Sequence, residues 1–166
     1  MNDSRKLTRQ ITMGAAIAAL YVVLTMVFAP ISFGPMQVRI AEVLTILPLF
    51  TPTAVPGLFL GCLVANLLAG AVVLDVVFGS LTTLIGAAIG YLLRRNRWLV
   101  PIPAIVANAV IVPFVLKYGY GVADFPIWLM AVYVAVGEVI GCFILGELFA
   151  TVLLRHGNIF GGSVEK

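Results

Sequence analysis

Charge is scarce in this chain. Only 10% of its 166 residues are Asp, Glu, Lys or Arg, against 62% hydrophobic, whereas a water-soluble domain carries about 25% charged residues. So few charges cannot coat a surface that faces water. With a mean hydropathy of +1.14, an integral membrane protein is the class that remains. Histidine occurs once and cysteine twice. A single His156, beside Arg155, supplies neither a metal cluster nor a catalytic triad. Cys62 and Cys142 lie inside apolar runs and read as buried thiols, not as a disulfide or metal framework. A Gly-x-x-x-x-Gly-Lys-[Ser/Thr] phosphate loop is absent, so the chain does not hydrolyse ATP itself. Two halves of matching hydropathy, the mark of many inverted-repeat carriers, are absent too. The reading is a non-enzyme with no cofactor, no metal and no nucleic-acid partner.

What the chain does have is apolar runs. A spanning helix needs about 20 residues, so 166 residues hold six spans with short loops, and seven would leave almost none. The pattern predicts an all-α, six-transmembrane-helix bundle forming one domain over residues 1–166. Its spans fall at about 10–29, 38–52, 54–73, 76–93, 98–116 and 127–154. The first run is too long for a signal-peptide core and is read as a retained helix. The second is short or broken, with Pro48 and Pro52 at its far end. Asp75 is placed to cap the fourth. Basic residues cluster at Arg5, Lys6 and Arg9, at Arg94, Arg95 and Arg97, and at Arg155. Six spans put all three clusters on one side, which the positive-inside rule makes cytoplasmic, together with both termini. The opposite loops hold only Lys117.

Glycines spaced by four residues, Gly57/Gly61, Gly86/Gly90 and Gly137/Gly141, predict close helix contacts. Gly14, Ala15, Ala18 and Ala19 form a smooth face on the first span. That face suits either internal packing or docking of another membrane protein.

Against this background the ionisable residues inside spans stand out, because each is costly to insert. Arg39 and Glu42 lie three residues apart, with Gln37 just before. A cation in the first turn opposes the helix dipole, so helix stabilisation does not explain their order. They form either a self-neutralising pair or a ligand-facing one. Counting about 1.5 Å per residue from the loops puts Asn66, Asn108 and Glu138 near the midplane or in the outer half, the layer that Arg39 and Glu42 reach from outside. A carboxylate accepting two parallel N–H bonds recognises a guanine-like edge, and an amide offers one donor and one acceptor. Trp128, Tyr133, Tyr118 and Tyr120, near the outer loops, can stack on a flat heterocycle or form an interfacial aromatic belt. Glu147, nearer the cytoplasmic side, is read as an inner-side pair or a partner contact.

The stretch from Gln37 to Pro48, Gln-Val-Arg-Ile-Ala-Glu-Val-Leu-Thr-Ile-Leu-Pro, resembles the signature of the QueT family, and the likeness extends over essentially the whole chain. The resemblance implies a substrate-binding S component of an energy-coupling factor (ECF) transporter, in the cell membrane, that takes up a queuosine precursor. It implies a transmembrane T component and two ATPase subunits as partners. It also implies a deazaguanine substrate bearing an aminomethyl or related group, whose guanine edge suits Glu42 or Glu138. An Ala-x-x-x-Ala motif on the first helix contacts the T component in such proteins. Ala15 and Ala19 match it, with Gly14 and Ala18 adjacent. The alternatives are an S component for another vitamin or nucleobase, and a stand-alone secondary transporter using Glu138 as a proton or cation site.

Overall fold

In the computed structural model, residues 3–32 and 39–155 are described, and every regular element among them is helical. Six helices follow one another. Helix α1 is Asp3–Val27, followed by one turn at Ala29–Ser32. Helix α2, Ile40–Leu49, is wound as a 3₁₀ helix, and α3 is Ala54–Leu68. Helix α4, Asp75–Leu92, opens with a π turn over Asp75–Gly79. Helix α5, Ile102–Tyr118, is entered through a 3₁₀ turn at Arg97–Leu99. Helix α6, Ile127–Arg155, contains a second π turn over Val139–Leu145.

Four of these segments are long and apolar enough to cross a membrane: α1, α4, Arg97–Tyr118 and α6. The two shorter ones depart from the expected spans for local reasons. Helix α3 stops five residues short of 73 because Gly70 adopts a left-handed φ of 68°. The Ala71 and Gly70 amides then close back on the Asn66 and Leu67 carbonyls at 3.0 and 3.2 Å, the Schellman pattern that ends a helix at glycine. Helix α2 has only ten residues, about 20 Å at the 3₁₀ rise. It is buried on nearly every side, from Ala41 through Leu49, and touches α1, α3, α4 and α6. A helix that is apolar all round belongs in a core. Here α2 is the axis around which the longer helices stand.

Small residues make the close contacts. A Cβ on Gly57 would sit 2.8 Å from the Gly14 carbonyl oxygen, and one on Gly61 would sit 2.7 Å from Tyr21 Cβ and 3.0 Å from the Ala18 oxygen. Gly86 and Gly90 bring α4 against Ala104 and Val100 in the same way. Gly141 brings α6 to within 3.0 Å of the Arg39 carbonyl oxygen on that measure. Without a hydrophobic force between helices in lipid, this approach is what holds them. Gly61→Ala is therefore expected to destabilise the bundle by about 1–3 kcal/mol, read as a lowered melting temperature in detergent.

The alanine face of α1 divides. Gly14 and Ala18 lie in the contact with α3, whereas Ala15 and Ala19 are exposed. Successive residues on a helix point about 100° apart, so four residues of such a stretch cannot all face one neighbour. At one end of the bundle Arg9 lines a groove with Phe149 and Leu153, and Arg97 bonds Glu147 and Thr151. The start of α1, the α4–α5 link and the end of α6 thus share that end.

Candidate functional site: a buried polar layer around α2

Two linked groups of polar side chains lie inside the bundle. In the first, Arg39 Nη2 donates to both oxygens of Asp75, at 2.9 and 3.0 Å, with side chains 5% and 0% exposed. Asp75 also accepts from the Tyr120 hydroxyl at 2.8 Å. Burial, then the Asp75 carboxylate beside it, push the Tyr120 phenol well above its ordinary range. Tyr120 therefore remains a donor. Asn66 Nδ2 donates to the Asp75 backbone oxygen at 3.1 Å. Gly79 leaves the room for all of this, since a Cβ there would lie 2.6 Å from Asp75 Oδ1.

The second group centres on two glutamates. Glu42 Oε1 accepts from the Tyr21 hydroxyl at 2.5 Å, and Glu138 Oε2 accepts from the Cys142 thiol at 2.9 Å. An oxygen of Glu42, an oxygen of Glu138 and Cys142 Sγ all lie within 4.8 Å of one another. At that separation two full negative charges repel by at least about 3.5 kcal/mol at an effective dielectric near 20. Glu42 Oε2 and Asn108 Nδ2 are buried without a well-formed hydrogen bond, with Thr83 beside Glu42 and Asn108 beside Glu138. Unmade hydrogen bonds in a buried site cost about 1–3 kcal/mol each, which suits groups that await a ligand. Three closely spaced acidic and thiol ligand atoms also suit convergence on one cation, inorganic or organic.

Charge is unevenly shared. Among the described residues Arg39 is the only buried basic side chain, against four buried acids: Glu42, Asp75, Glu138 and Glu147. Asp75 matches Arg39 through both oxygens. Glu147 is met by Arg97 at the opposite end, 2.7 Å away, an ion pair as in one of the two readings given for it. Glu42 and Glu138 are left facing each other.

The structure therefore brings Arg39, Glu42, Asn66, Asn108 and Glu138 into one buried layer, and changes their pairing. Arg39 is bound by Asp75, a residue expected only to cap α4. The cap position falls on Leu74 instead, and the Asp75 carboxylate turns inward to Arg39 and Tyr120. Gln37 lies outside the described residues, as does His156. Two of the aromatics read as either stacking or belt residues stand away from this layer. Trp128 is 67% exposed. Tyr133 packs edge-on against Phe125 with ring centroids 6.1 Å apart. The reason is helical phase: Tyr133 is five residues before Glu138, about 140° around the helix. Tyr118 is exposed on an apolar groove of about 430 Å³ beside Leu74 and Phe78. Tyr120 alone of the four outer aromatics reaches the polar layer. Tyr21, Asp75 and Cys142 were not anticipated there. Cys142 was within reach of sequence reasoning, since it lies one helical turn from Glu138 on the same face.

Both π turns carry site residues: Asp75 opens one, and Cys142 lies in the other just after Glu138. Such turns re-aim side chains and are frequent at functional sites.

Helices long and apolar enough to cross a membrane, packed around a buried polar centre, define a helical protein of membrane type. The family model described as QueT transporter matches residues 11–155, and the chain belongs to that family, a family of transporters and not of enzymes. A queuosine precursor transporter, QueT, of Lactococcus lactis subsp. cremoris (strain MG1363) is 40% identical over 81 residues. That match covers 48% of this chain and 47% of the relative, about half the length of each. No solved structure matches the chain.

Proposed function

We propose that this chain is the substrate-capture S component of an ECF-type ABC importer for a queuosine precursor, seated in the cell membrane with both termini cytoplasmic. The substrate, a deazaguanine, enters from the outer side and is held between Glu42, Glu138 and Asn108. The observation that carries this reading is the pair of buried carboxylates, Glu42 and Glu138, with oxygens within 4.8 Å of one another and the Asn108 amide beside them. A carboxylate accepts the two parallel N–H bonds of a guanine edge, and the amide supplies a donor to a ring carbonyl. Arg39, Asp75, Asn66 and Tyr120 tie the ends of α2, α3, α4 and α5 around that centre. Family membership and the named relative support the substrate class.

Transport power comes from partners in this reading: a T component and two ATPases. Ala15 and Ala19, exposed on α1, are the docking residues. Gly14 and Ala18 serve the same face indirectly by seating α1 on α3. Replacing Ala15 and Ala19 together by leucine is expected to abolish co-purification with the T component and ATP-driven uptake, while ligand binding by the chain alone is retained. Uptake by vesicles separates this from the secondary-transporter reading. The capture component requires the T component and ATPases, and uptake by the chain alone on a proton gradient would contradict it.

A further inference from the structure

Resting on the capture reading, we infer that the ligand-free site holds one proton on the Glu42–Glu138 pair and exchanges it for a cationic ligand. The ligand class is a flat heterocycle that offers an amidine-like N–H edge to one glutamate and an ammonium to the other. The inference comes from the distribution of charge. Two carboxylates within 4.8 Å in a buried site cannot both stay ionised without a compensating charge. The described groups that face them supply one cation for three buried acids, Asp75, Glu42 and Glu138. Tyr21 from α1 and Cys142 from α6 are neutral donors, one to each carboxylate. Arg39, beside Glu42 at the start of α2, is permanently charged and favours the ionised form of both glutamates, but both oxygens of Asp75 from α4 already match its single charge. Cys62 from α3 sits against Arg39 and Asn66. Asn108 from α5 and Thr83 from α4 carry no charge.

The exchange balances. The O–H bond of the protonated glutamic acid breaks and its proton passes to the solvent. An N⁺–H···O⁻ contact to the ligand ammonium replaces it, and the site carries the same net charge before and after. A neutral ligand engages one ionised carboxylate and leaves the proton in place. Linkage then fixes the sign: affinity for the cationic ligand rises with pH, by up to about tenfold per unit while the empty site keeps its proton. Affinity for the neutral analogue does not.

Two measurements on purified full-length protein, stripped with EDTA so that no metal ion takes the place of the proton, test this. Infrared difference spectra of ligand-free wild type against Glu42→Gln and Glu138→Gln are expected to reveal a protonated-carboxyl band that either substitution removes. Its absence would overturn the inference whether or not any ligand binds. Calorimetry in buffers of different ionisation enthalpy is expected to show about one proton released per aminomethyl-deazaguanine bound, and none for the deazaguanine lacking the aminomethyl group. Tight binding of the cationic compound without proton release contradicts the exchange but leaves the capture reading standing. A carboxyl band without binding of either compound upholds the protonated pair and defeats the capture reading.

Discussion

Glu42→Gln and Glu138→Gln are each expected to weaken binding of an aminomethyl-deazaguanine by about 30- to 1,000-fold, the cost of truncating one partner of a buried, charged hydrogen-bonded pair. The amide keeps the size and shape of the side chain. It cannot accept two parallel N–H bonds, and it carries no charge for an ammonium. Folding should respond in the opposite direction. In the ligand-free protein one of these two buried acids must take up a proton to sit beside the other, so putting a neutral amide in its place removes that penalty. A melting temperature equal to or above wild type, with binding lost, marks the glutamates as ligand groups. A variant that melts earlier and binds normally would mark them as structural.

Arg39 and Asp75 should behave the other way round. Arg39→Met leaves a fully buried Asp75 carboxylate without its cation, and breaking a buried pair from one side costs about 3–5 kcal/mol. That is a large share of the stability of a small bundle. Asp75→Asn leaves the buried guanidinium in the same position. Thermal denaturation in detergent is expected to drop sharply for each single variant. The double variant Arg39→Met/Asp75→Leu should recover most of the loss, since replacing both partners by apolar groups removes the uncompensated charge. Ligand binding in the double variant should fall only moderately on our proposal that Glu42, Glu138 and Asn108 hold the substrate; a loss as large as in Glu42→Gln would place Arg39 among the substrate-binding residues. Equal losses in the single and double variants would show that Arg39 and Asp75 do not act as a pair.

The contrast between the two pairs explains what could be read from the sequence. The helices were legible because lipid imposes length and hydrophobicity on every span, and because Gly57/Gly61 and Gly86/Gly90 report close approach directly. The polar layer was legible by depth, since rise per residue fixes how far Arg39, Asn66, Asn108 and Glu138 lie from the loops. Partner choice was not. Tyr21 meets Glu42 and Asp75 meets Arg39 across contacts between helices, and depth carries no information about which helix stands next to which. The π turns at Asp75–Gly79 and Val139–Leu145 also alter phase, so a strict 100° count misplaces side chains beyond them. For the aromatics the same count was sufficient: Tyr133 lies well off the Glu138 face. The division of the alanine face needed the structure, because Gly57 and Gly61 select which residues of α1 they receive.

Calorimetry of the purified, folded chain without any partner subunit bears most directly on the assigned role. A capture component binds its substrate alone: one aminomethyl-deazaguanine per chain, tightly, with the heat lost in Glu42→Gln and Glu138→Gln. A folded sample that gives no binding heat with this compound, or that binds it unchanged after both substitutions, would contradict the role assigned to the buried glutamates.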